Sequence, residues 1–224
     1  MINTFLYKKE SNLIDKEQVT KLLNRFNEIH QNKIYNNTGV PHIFELKKSD
    51  IEKEPLFKSL LYIIEKKIKF LSNLNDLNIK KMWLVNSTPN NQNKNFLPYI
   101  PHIDKQRYLK AMVYLHDVSF NHGPIYLGKL DSSVDVERIR KKLPYNYKEK
   151  GLNSINYQQL DGSLIPMVGS AGDVIFFDTN TPHKAGIIKD NYSRKILRFD
   201  FESLSFNKKT TFLKKIFNKI NISV

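Results

Sequence analysis

From residue 81 onward, the sequence consists of short runs rich in β-branched and aromatic residues, and this pattern constrains the fold most strongly. Such residues favour pleated strands with at least one buried face. The runs cover residues 81–85, 108–118, 124–127, 174–177 and 195–201. Many short strands separated by turn residues are typical of antiparallel sheets packed as a sandwich or closed as a barrel. We therefore predict a β domain between about residues 80 and 203.

The preceding residues, up to about residue 78, are predicted to be helical. Asp15 and Gln18 have the spacing of a capping box at the start of a helix. Apolar residues follow at helical spacing, namely Val19, Leu22, Leu23, Phe26 and Ile29. A second helix is predicted to begin at Ser49 or Asp50 and to carry one apolar stripe. The stripe consists of Leu56, Leu60, Leu61, Ile64, Ile68 and Leu71. Helices beside a β domain indicate an α+β protein, here a single domain over residues 1–224.

Two polar stretches interrupt the strands and are expected to shape a binding pocket. Residues 86–95 are rich in asparagine, and residues 131–159 are polar and rich in lysine. Long loops of this kind carry substrate contacts on many β scaffolds. Residues 207–221 instead predict a basic amphipathic helix, which could dock on its own domain, on a second copy of the chain or on an anionic membrane surface.

The composition excludes several classes of protein. The absence of cysteine rules out disulfides, thiolate metal sites and cysteine nucleophiles. No run approaches the roughly 20 apolar residues of a membrane span, and the N-terminus lacks the apolar core of a secretory signal. We therefore expect a cytoplasmic protein. The net charge of +14 is spread along the chain, so it favours an anionic small molecule over nucleic acid as the partner.

The segment from Pro101 to Asp104 contains the first two candidate metal ligands. Alternate residues of a strand point to the same side, so His102 and Asp104 can face one point while Ile103 turns into the packing. A neutral imidazole and a carboxylate are two of the three ligands in the two-histidine, one-carboxylate site of non-haem iron(II) oxygenases. A His-x-Asp pair alone occurs by chance in many proteins.

A third candidate ligand lies at the end of residues 172–183. A Gly-Asp turn precedes an apolar strand there, and a polar turn then leads to His183. This order places His183 at a strand end, from which a side chain can reach a metal ion. A solvated loop histidine is the alternative interpretation.

The last predicted strand carries two arginines of equal parity. Arg194 and Arg198 would face the same side of the strand as Ile196. An inward arginine needs an anionic partner, and its planar fork suits a carboxylate. Either arginine could instead form a structural ion pair with an acidic side chain.

Taken in order, these residues resemble the phytanoyl-CoA dioxygenase-like branch of the iron(II)- and 2-oxoglutarate-dependent oxygenases. The resemblance rests on His102-x-Asp104, the distal His183 and Arg194 eleven residues later. Residues 115–125 are also similar to that family's strand and its Asn-Gly-Pro-Leu-type turn. The similarity covers about residues 80–201, but residues 127–132 depart from the Pro-Gly-Ser-His-type turn of many relatives.

The resemblance implies a double-stranded β-helix with Fe(II) held by His102, Asp104 and His183. It also implies that 2-oxoglutarate chelates the metal and places its distal carboxylate on Arg194. With O2 as the other cosubstrate, a small metabolite would be hydroxylated while succinate and CO2 are released. Halogenating relatives replace the carboxylate ligand by a small residue, so Asp104 favours hydroxylation.

Further contacts are less sharply indicated. Ala185 stands where some relatives have a polar residue that helps to hold the cosubstrate, so a second contact must come from elsewhere. The candidates are Lys110, Tyr114 and Tyr108, which share one parity. Candidate substrate contacts are the basic residues Lys105, Arg107 and Arg198, which favour an anionic substrate.

Two other functions are compatible with a barrel of this kind. A cupin-like metal enzyme would not use 2-oxoglutarate, but cupins usually combine three histidines with a glutamate, and that pattern is absent. His116 and His122 are instead interpreted as strand-end and turn residues. A basic binding module without catalysis would have no reason to retain all three ligands and the arginine. A homo-oligomer is compatible with any of these functions.

Overall fold

The computed structural model describes residues 5–34, 42–91, 97–129 and 164–207, together with the isolated Val136. Three α-helices lie in the first third of the chain, and the described residues also form nine strands and two short 3-10 helices, Pro89–Asn91 and Leu204–Asn207. The helices are α1 (Lys16–Asn32), α2 (Lys48–Lys53) and α3 (Pro55–Ser72). The strands are β1 (Tyr7–Glu10), β2 (Ile43–Leu46), β3 (Leu77–Ser87), β4 (Leu109–Tyr114), β5 (Ile125–Leu127), β6 (Ile165–Pro166), β7 (Val174–Asp178), β8 (His183–Ala185) and β9 (Arg194–Ser203).

The strands form one large and one small antiparallel sheet. The large sheet has six strands in the order β1-β7-β4-β9-β3-β2, and the small sheet has three in the order β6-β5-β8. Every neighbouring pair with a defined register is antiparallel. Strand order does not follow chain order, so strands far apart in sequence are hydrogen-bonded to each other. The result confirms an α+β protein whose centre is antiparallel sheet.

All five predicted runs coincide with strands, namely β3, β4, β5, β7 and β9. The run at residues 108–118 is shorter than predicted, because β4 ends at Tyr114 and a bend follows. The predictions for residues 131–159, for the helix at residues 207–221 and for residues 92–95 of the first loop fall almost entirely outside the described residues. Within the described part of the chain, no helix is long and apolar enough to cross a membrane.

Helix α1 begins and ends at the positions that its sequence predicts. The carboxylate of Asp15 accepts a hydrogen bond from the Gln18 amide at 2.8 Å, which satisfies a donor of the first turn. The helix ends at Lys33, which has the left-handed conformation (φ 51°) of many helix ends. One face of the helix, including Leu22 and Phe26, is fully buried. The first helix prediction is therefore confirmed.

The second predicted helix is two helices, because Pro55 interrupts it. Proline has no amide hydrogen to continue the ladder of α2, but it is well suited to the first turn of a new helix. Glu54 between them has an extended backbone (φ −105°, ψ 101°). Most of the predicted apolar stripe belongs to α3, where Leu60, Ile64 and Ile68 have no exposed surface.

Two strands lie in the region that was predicted to be helical, so that prediction is incomplete. Strand β1 pairs with β7 and β2 pairs with β3, which places them at the two edges of the large sheet. Each has only four residues. Such short segments show too little alternation to be recognised as strands.

The two faces of the large sheet bury separate apolar clusters. The larger cluster lies between this sheet and the helices, and it includes Phe26, Leu60 and Phe199. The smaller cluster contains residues of both sheets: Tyr114, Ile175, Phe177 and Ile196 from the large sheet, Ile125 and Leu127 from the small one, and Val118 and Met167 beside it. Fully burying one Leu or Phe side chain contributes roughly 1.5–3 kcal/mol, so both clusters stabilise the domain. Alternation along β9 directs Leu197 and Phe199 toward the helices and Arg194 and Ile196 toward the space between the sheets.

Candidate metal centre

His102 and His183 are brought together by a single antiparallel bridge. Each donates its backbone amide to the carbonyl of the other at 2.9 Å. This bridge is all that exists of the strand predicted around His102, and His183 is the first residue of β8. The two imidazole rings lie side by side, with their centroids 4.3 Å apart. Ile103 between the two candidate ligands is 1% exposed, as strand alternation predicts.

Asp104 completes a cluster of three donor groups. Its Oδ1 atom lies 3.8 Å from Nε2 of His102 and 3.7 Å from Nε2 of His183. All three ligand atoms lie within 4.8 Å of one another. Among the described residues, this is the one group of three or more histidine, aspartate or glutamate side chains with such spacing.

The hydrogen bonds of the histidines fix which nitrogen faces the cluster. Nδ1 of His102 lies 2.7 Å from the Ile100 carbonyl, and Nδ1 of His183 lies 2.8 Å from the Thr181 carbonyl. A carbonyl oxygen only accepts, so each Nδ1 must carry the hydrogen of a neutral ring. Each Nε2 then presents a lone pair to the cluster, which is the tautomer that a metal ligand needs.

Burial and charge keep this donor set in its metal-binding protonation state. Burial, aided by the neighbouring His183, lowers the pKa of His102 to about 3, so the ring is neutral at physiological pH. Burial opposes ionisation of Asp104, but the Lys110 ammonium and the two histidines hold the pKa of this carboxyl well below its usual range. A neutral His102 imidazole and an ionised Asp104 carboxylate therefore face the cluster.

These three groups fit a divalent transition metal ion. Two imidazole nitrogens and one carboxylate oxygen converge here, with the Nε2 atoms 3.8 and 3.7 Å from Oδ1 of Asp104. Two imidazoles and one carboxylate are the donor set of the facial site of non-haem iron(II) proteins.

Lys110 lies at this centre, in contact with Asp104 itself. Its ammonium donates a short hydrogen bond to Oδ2 of Asp104, the oxygen that does not face the histidines. Lys110 is 7% exposed and projects from β4 into the space between the sheets. The inward parity of Lys110 was predicted, but its partner was expected to be the cosubstrate.

Arg194 is buried at the start of β9. It is 7% exposed, and its Nε atom has no hydrogen-bond partner among the described residues. Burial lowers the pKa of Arg194, while electrostatic interaction with Tyr114 and Tyr99 opposes this effect. An inward guanidinium with an unused donor is available to a carboxylate ligand.

Two tyrosines lie beside Arg194, and only one was predicted. The hydroxyl of Tyr114 donates to the Met167 carbonyl at 2.6 Å, and burial raises the pKa of Tyr114 to about 12. Burial also raises the pKa of Tyr99, against the effect of Arg194. Tyr99 precedes His102 in a segment without periodicity, so its nearness to the metal-site motif was the only available signal. Tyr108, the remaining candidate, has its pKa raised to about 12 by burial and by Asp200.

The structure pairs Arg198 with a carboxylate of its own strand. Its Nε lies 3.0 Å from Oδ1 of Asp200, and its guanidinium stacks over the Trp83 ring at 4.9 Å. Nε1 of Trp83 donates to Oδ2 of Asp200 at 2.7 Å. The sequence left two roles open for Arg198, a structural ion pair and a substrate contact. The pair with Asp200 is the first of these.

Arg107 also has an internal partner. Its guanidinium donates from Nε and Nη2 to the Asp178 carboxylate, at distances from 2.6 to 3.2 Å, and lies over the Phe206 ring. Lys105 is partly exposed and directly follows Asp104 in the chain. A substrate would therefore have to compete with Asp178 for the guanidinium of Arg107, which the sequence did not indicate.

His116 and His122 form a separate pair, with ring centroids 5.1 Å apart. Nε2 of His116 accepts from the Lys195 amide at 3.0 Å, and Nδ1 of His122 lies 2.9 Å from the Ser119 hydroxyl. His116 lies just after β4, and His122 lies in the following turn. Both positions agree with the strand-end and turn interpretation.

Comparison of the sequence with known protein families agrees with the geometry of this site. Residues 10–196 match the sequence profile of the phytanoyl-CoA dioxygenase family. The chain belongs to this family. Membership confirms the resemblance seen in the sequence and the enzyme class, a dioxygenase. It also argues against a cupin-like enzyme of another class and against a non-catalytic module. No curated protein matches the sequence at a significant level.

Solved structures of oxygenases share the fold at low sequence identity. The epimerase SnoN, solved with Fe3+, α-ketoglutarate and nogalamycin RO, superposes with a TM-score of 0.61 at 16% identity, over 88% of this chain and 78% of its own. HygX from Streptomyces hygroscopicus, solved with nickel and 2-oxoglutarate, gives 0.60 at 14% identity, over 90% and 84%. A Pseudomonas putida prolyl-4-hydroxylase gives 0.54 at 13% identity, over 88% and 92%. These likenesses show the fold of this family member, and the ligands belong to those proteins.

Proposed function

We propose that the protein is an Fe(II)- and 2-oxoglutarate-dependent dioxygenase that hydroxylates a small, anionic metabolite. In this proposal the two sheets form a double-stranded β-helix, and His102, Asp104 and His183 hold Fe(II). Arg194 binds the distal carboxylate of 2-oxoglutarate. The convergence of two imidazole nitrogens and one carboxylate oxygen on one point carries the proposal.

The chain's own residues supply orientation and a dry environment. Hydrogen bonds to the Ile100 and Thr181 carbonyls would hold the two imidazole rings in place. The smaller apolar cluster, which includes Phe177 and Ile196, would exclude water from the space between the sheets. Bound Fe(II) and 2-oxoglutarate would supply the oxidation, in which 2-oxoglutarate and O2 yield succinate, CO2 and the hydroxylated substrate.

The unpartnered Nε of Arg194 supports a role in cosubstrate binding. A buried guanidinium costs free energy unless an anion pairs with it. The distal carboxylate of 2-oxoglutarate would be such an anion, and a planar fork binds it at two points. Tyr99 and Tyr114 beside Arg194 are available to line the same pocket.

An anionic substrate is supported by charge. The chain carries a net charge of +14, and Lys105 directly follows the ligand Asp104. Arg107 and Arg198 already have carboxylate partners, so a substrate would have to share or displace those contacts.

The test is anaerobic addition of Fe(II) and 2-oxoglutarate to the protein. The expected result is a weak visible charge-transfer band that the Asp104→Ala variant lacks, together with loss of iron retention in that variant. Asp190→Ala, which removes an exposed carboxylate from a turn, is the matched control and should behave like the wild type. A well-folded wild-type protein that retains iron but gives no band would point to an enzyme that does not use 2-oxoglutarate. Failure to retain iron would point to a non-catalytic module.

A second experiment addresses substrate and outcome. Succinate release is measured over a panel of anionic metabolites, with uncharged analogues as controls. Products are then formed under 18O2, because hydroxylation introduces one labelled oxygen atom into the product. A turned-over substrate without label would contradict hydroxylation and favour another oxidation, such as desaturation.

A further inference from the structure

The two oxygens of Asp104 have different partners. Oδ1 faces Nε2 of both His102 and His183, whereas Oδ2 accepts from the Lys110 ammonium. A carboxylate has two oxygens that can both bind one metal ion. The position of Lys110 therefore bears on how many of them are available.

Because Lys110 is buried, its ammonium needs an anionic partner. Its side chain is 9% exposed, and its ammonium lies 5.9 Å from the centre of the Phe177 ring on β7. A buried ammonium without an anion would cost several kcal/mol, so Lys110 must pair with one of the carboxylates within its reach.

The other carboxylate near Lys110 is already occupied. Asp200 lies directly opposite Lys110 across the β4–β9 ladder. Its Oδ2 accepts from Nε1 of Trp83 at 2.7 Å and from Nη2 of Arg198 at 3.1 Å, and its Oδ1 lies 3.0 Å from Nε of Arg198. Because the Arg198 guanidinium neutralises Asp200, the Lys110 ammonium is directed to Asp104.

We propose that Lys110 is a positioning residue that reserves Oδ2 and so limits Asp104 to one oxygen as a metal ligand. This inference rests on the proposed function. Two imidazoles and one carboxylate oxygen leave three positions of an octahedral ion open, two for 2-oxoglutarate and one for dioxygen. A carboxylate that binds through both oxygens takes one of these positions and competes with the cosubstrate.

The test is Lys110→Met, an apolar side chain of similar length, in two anaerobic titrations. Co(II) serves as the metal probe in the first, and 2-oxoglutarate is added to the Co(II)-loaded protein in the second. We expect Co(II) affinity within about threefold of the wild type, because the freed oxygen replaces the lost orientation. We expect the affinity for 2-oxoglutarate to fall by about tenfold or more, the size of effect typical of groups that orient metal ligands. The visible spectrum of the Co(II) protein without 2-oxoglutarate should also change.

Two further variants control the result. Lys67→Met removes another partly buried lysine–carboxylate pair, with Glu10 at 3.2 Å, and should leave both affinities unchanged. Trp83→Phe removes a donor from Asp200 and leaves Lys110 in place, so it tests the same idea should Lys110→Met fail to fold. Asp200 then competes for the ammonium, and 2-oxoglutarate binding should weaken while Co(II) binding does not.

Three outcomes would overturn the proposal in distinguishable ways. Wild-type affinity for 2-oxoglutarate in both variants would remove the role of Lys110 and leave the proposed function intact. Loss of Co(II) binding in Lys110→Met would mean that the lysine holds the ligand set together and reserves no oxygen. A wild-type protein that binds Co(II) but no 2-oxoglutarate would overturn the proposed function, and this inference with it.

Discussion

Lys110 and Arg194 are both buried cations, but they differ in their hydrogen-bond partners. Lys110 pairs with Asp104, whereas the Nε of Arg194 meets no hydrogen-bond partner among the described residues. A buried guanidinium donor in that state destabilises the folded chain, because its desolvation is not offset by a hydrogen bond from the described residues. Binding and stability should therefore respond in opposite directions to the loss of Arg194.

Arg194→Met tests this opposition. We expect the affinity for 2-oxoglutarate to fall by about tenfold or more. We expect the unfolding free energy of the ligand-free protein to rise by roughly 1–3 kcal/mol, and its melting temperature to rise with it. Calorimetry and cosubstrate titration measure the two effects. Arg25→Met is the control, because Arg25 is paired with Glu54 and Glu28, and its loss should lower stability. A less stable Arg194→Met protein with normal cosubstrate binding would contradict the assignment.

The low pKa of His102 predicts acid sensitivity of the metal-free protein. The folded pKa is about 3, below the ordinary value of 6.5, so the unfolded chain binds the extra proton between these two pH values. Stability is therefore present above about pH 6.5 and is lost as the pH falls toward 3, by up to about 1.4 kcal/mol per pH unit.

The measurement is urea unfolding of the metal-free protein from pH 7 to pH 4.5. Burial lowers the pKa of His30, His42 and His116 as well, so the wild-type slope contains several contributions. His102→Gln should have a shallower slope than the wild type. Equal slopes for the two proteins would show that His102 is not buried as a neutral ring.

The sequence predicted some candidate ligands more directly than others. Strand parity alone placed His102 and Asp104 on one side, and this held although the strand is a single bridge. His183 was found only through its order relative to Arg194. The Lys110–Asp104 contact could not be predicted, because it depends on the path of the turn between the two residues and not on periodicity.

The elements around the centre depend on turns that few residues can form. Gly172, which precedes β7, has φ +92°, and a Cβ atom there would lie 2.2 Å from the Ile14 carbonyl oxygen. Strand β7 leads into the turn that carries His183. The turn at Gly172 therefore positions both the N-terminal segment and the strand that precedes a candidate ligand.

Gly172→Ala should destabilise the protein by roughly 1–3 kcal/mol through backbone strain, and by more if the close contact forces the chain apart. Chemical denaturation measures the loss. Ser170→Ala is the control in the same turn, since Ser170 is exposed and has no positive φ. Equal stability of the two variants would be inconsistent with the described turn.

Helix and strand boundaries show where local pattern is insufficient. The apolar stripe predicted α3 well, but it did not reveal that Pro55 starts a new helix, because α2 and α3 share the same periodicity. The edge strands β1 and β2 owe their state to pairing with distant strands. Tertiary partners of this kind are invisible to a single segment.

At the scale of the whole molecule, the two faces of the large sheet pack against different partners through the two apolar clusters. One face is stabilised by helices, and the other faces the small sheet and the candidate centre. The pattern of apolar residues predicted helices and five of the strands, but not which strands pair. Strand order in the sheet follows from contacts between residues far apart in the chain.

Strand β1 is expected to protect the strand that leads to His183. Deletion of residues 5–10 should expose the edge of β7, lower the unfolding free energy and speed amide exchange at residues 174–178. Hydrogen exchange followed by mass spectrometry measures this effect. Exchange in α2, which packs against β2 and β3 at the opposite edge of the large sheet, is the internal control. Unchanged exchange at residues 174–178 would mean that the pairing contributes nothing to this edge.

The same pairing has a consequence for biosynthesis. Tyr7 lies opposite Phe177, so β1 cannot form these hydrogen bonds until β7 has been translated. Contacts this distant in sequence slow folding, because a long loop must close before they form. The nascent chain therefore exposes β1 without this partner until residues 174–178 have been synthesised, and this edge of the sheet forms only after them.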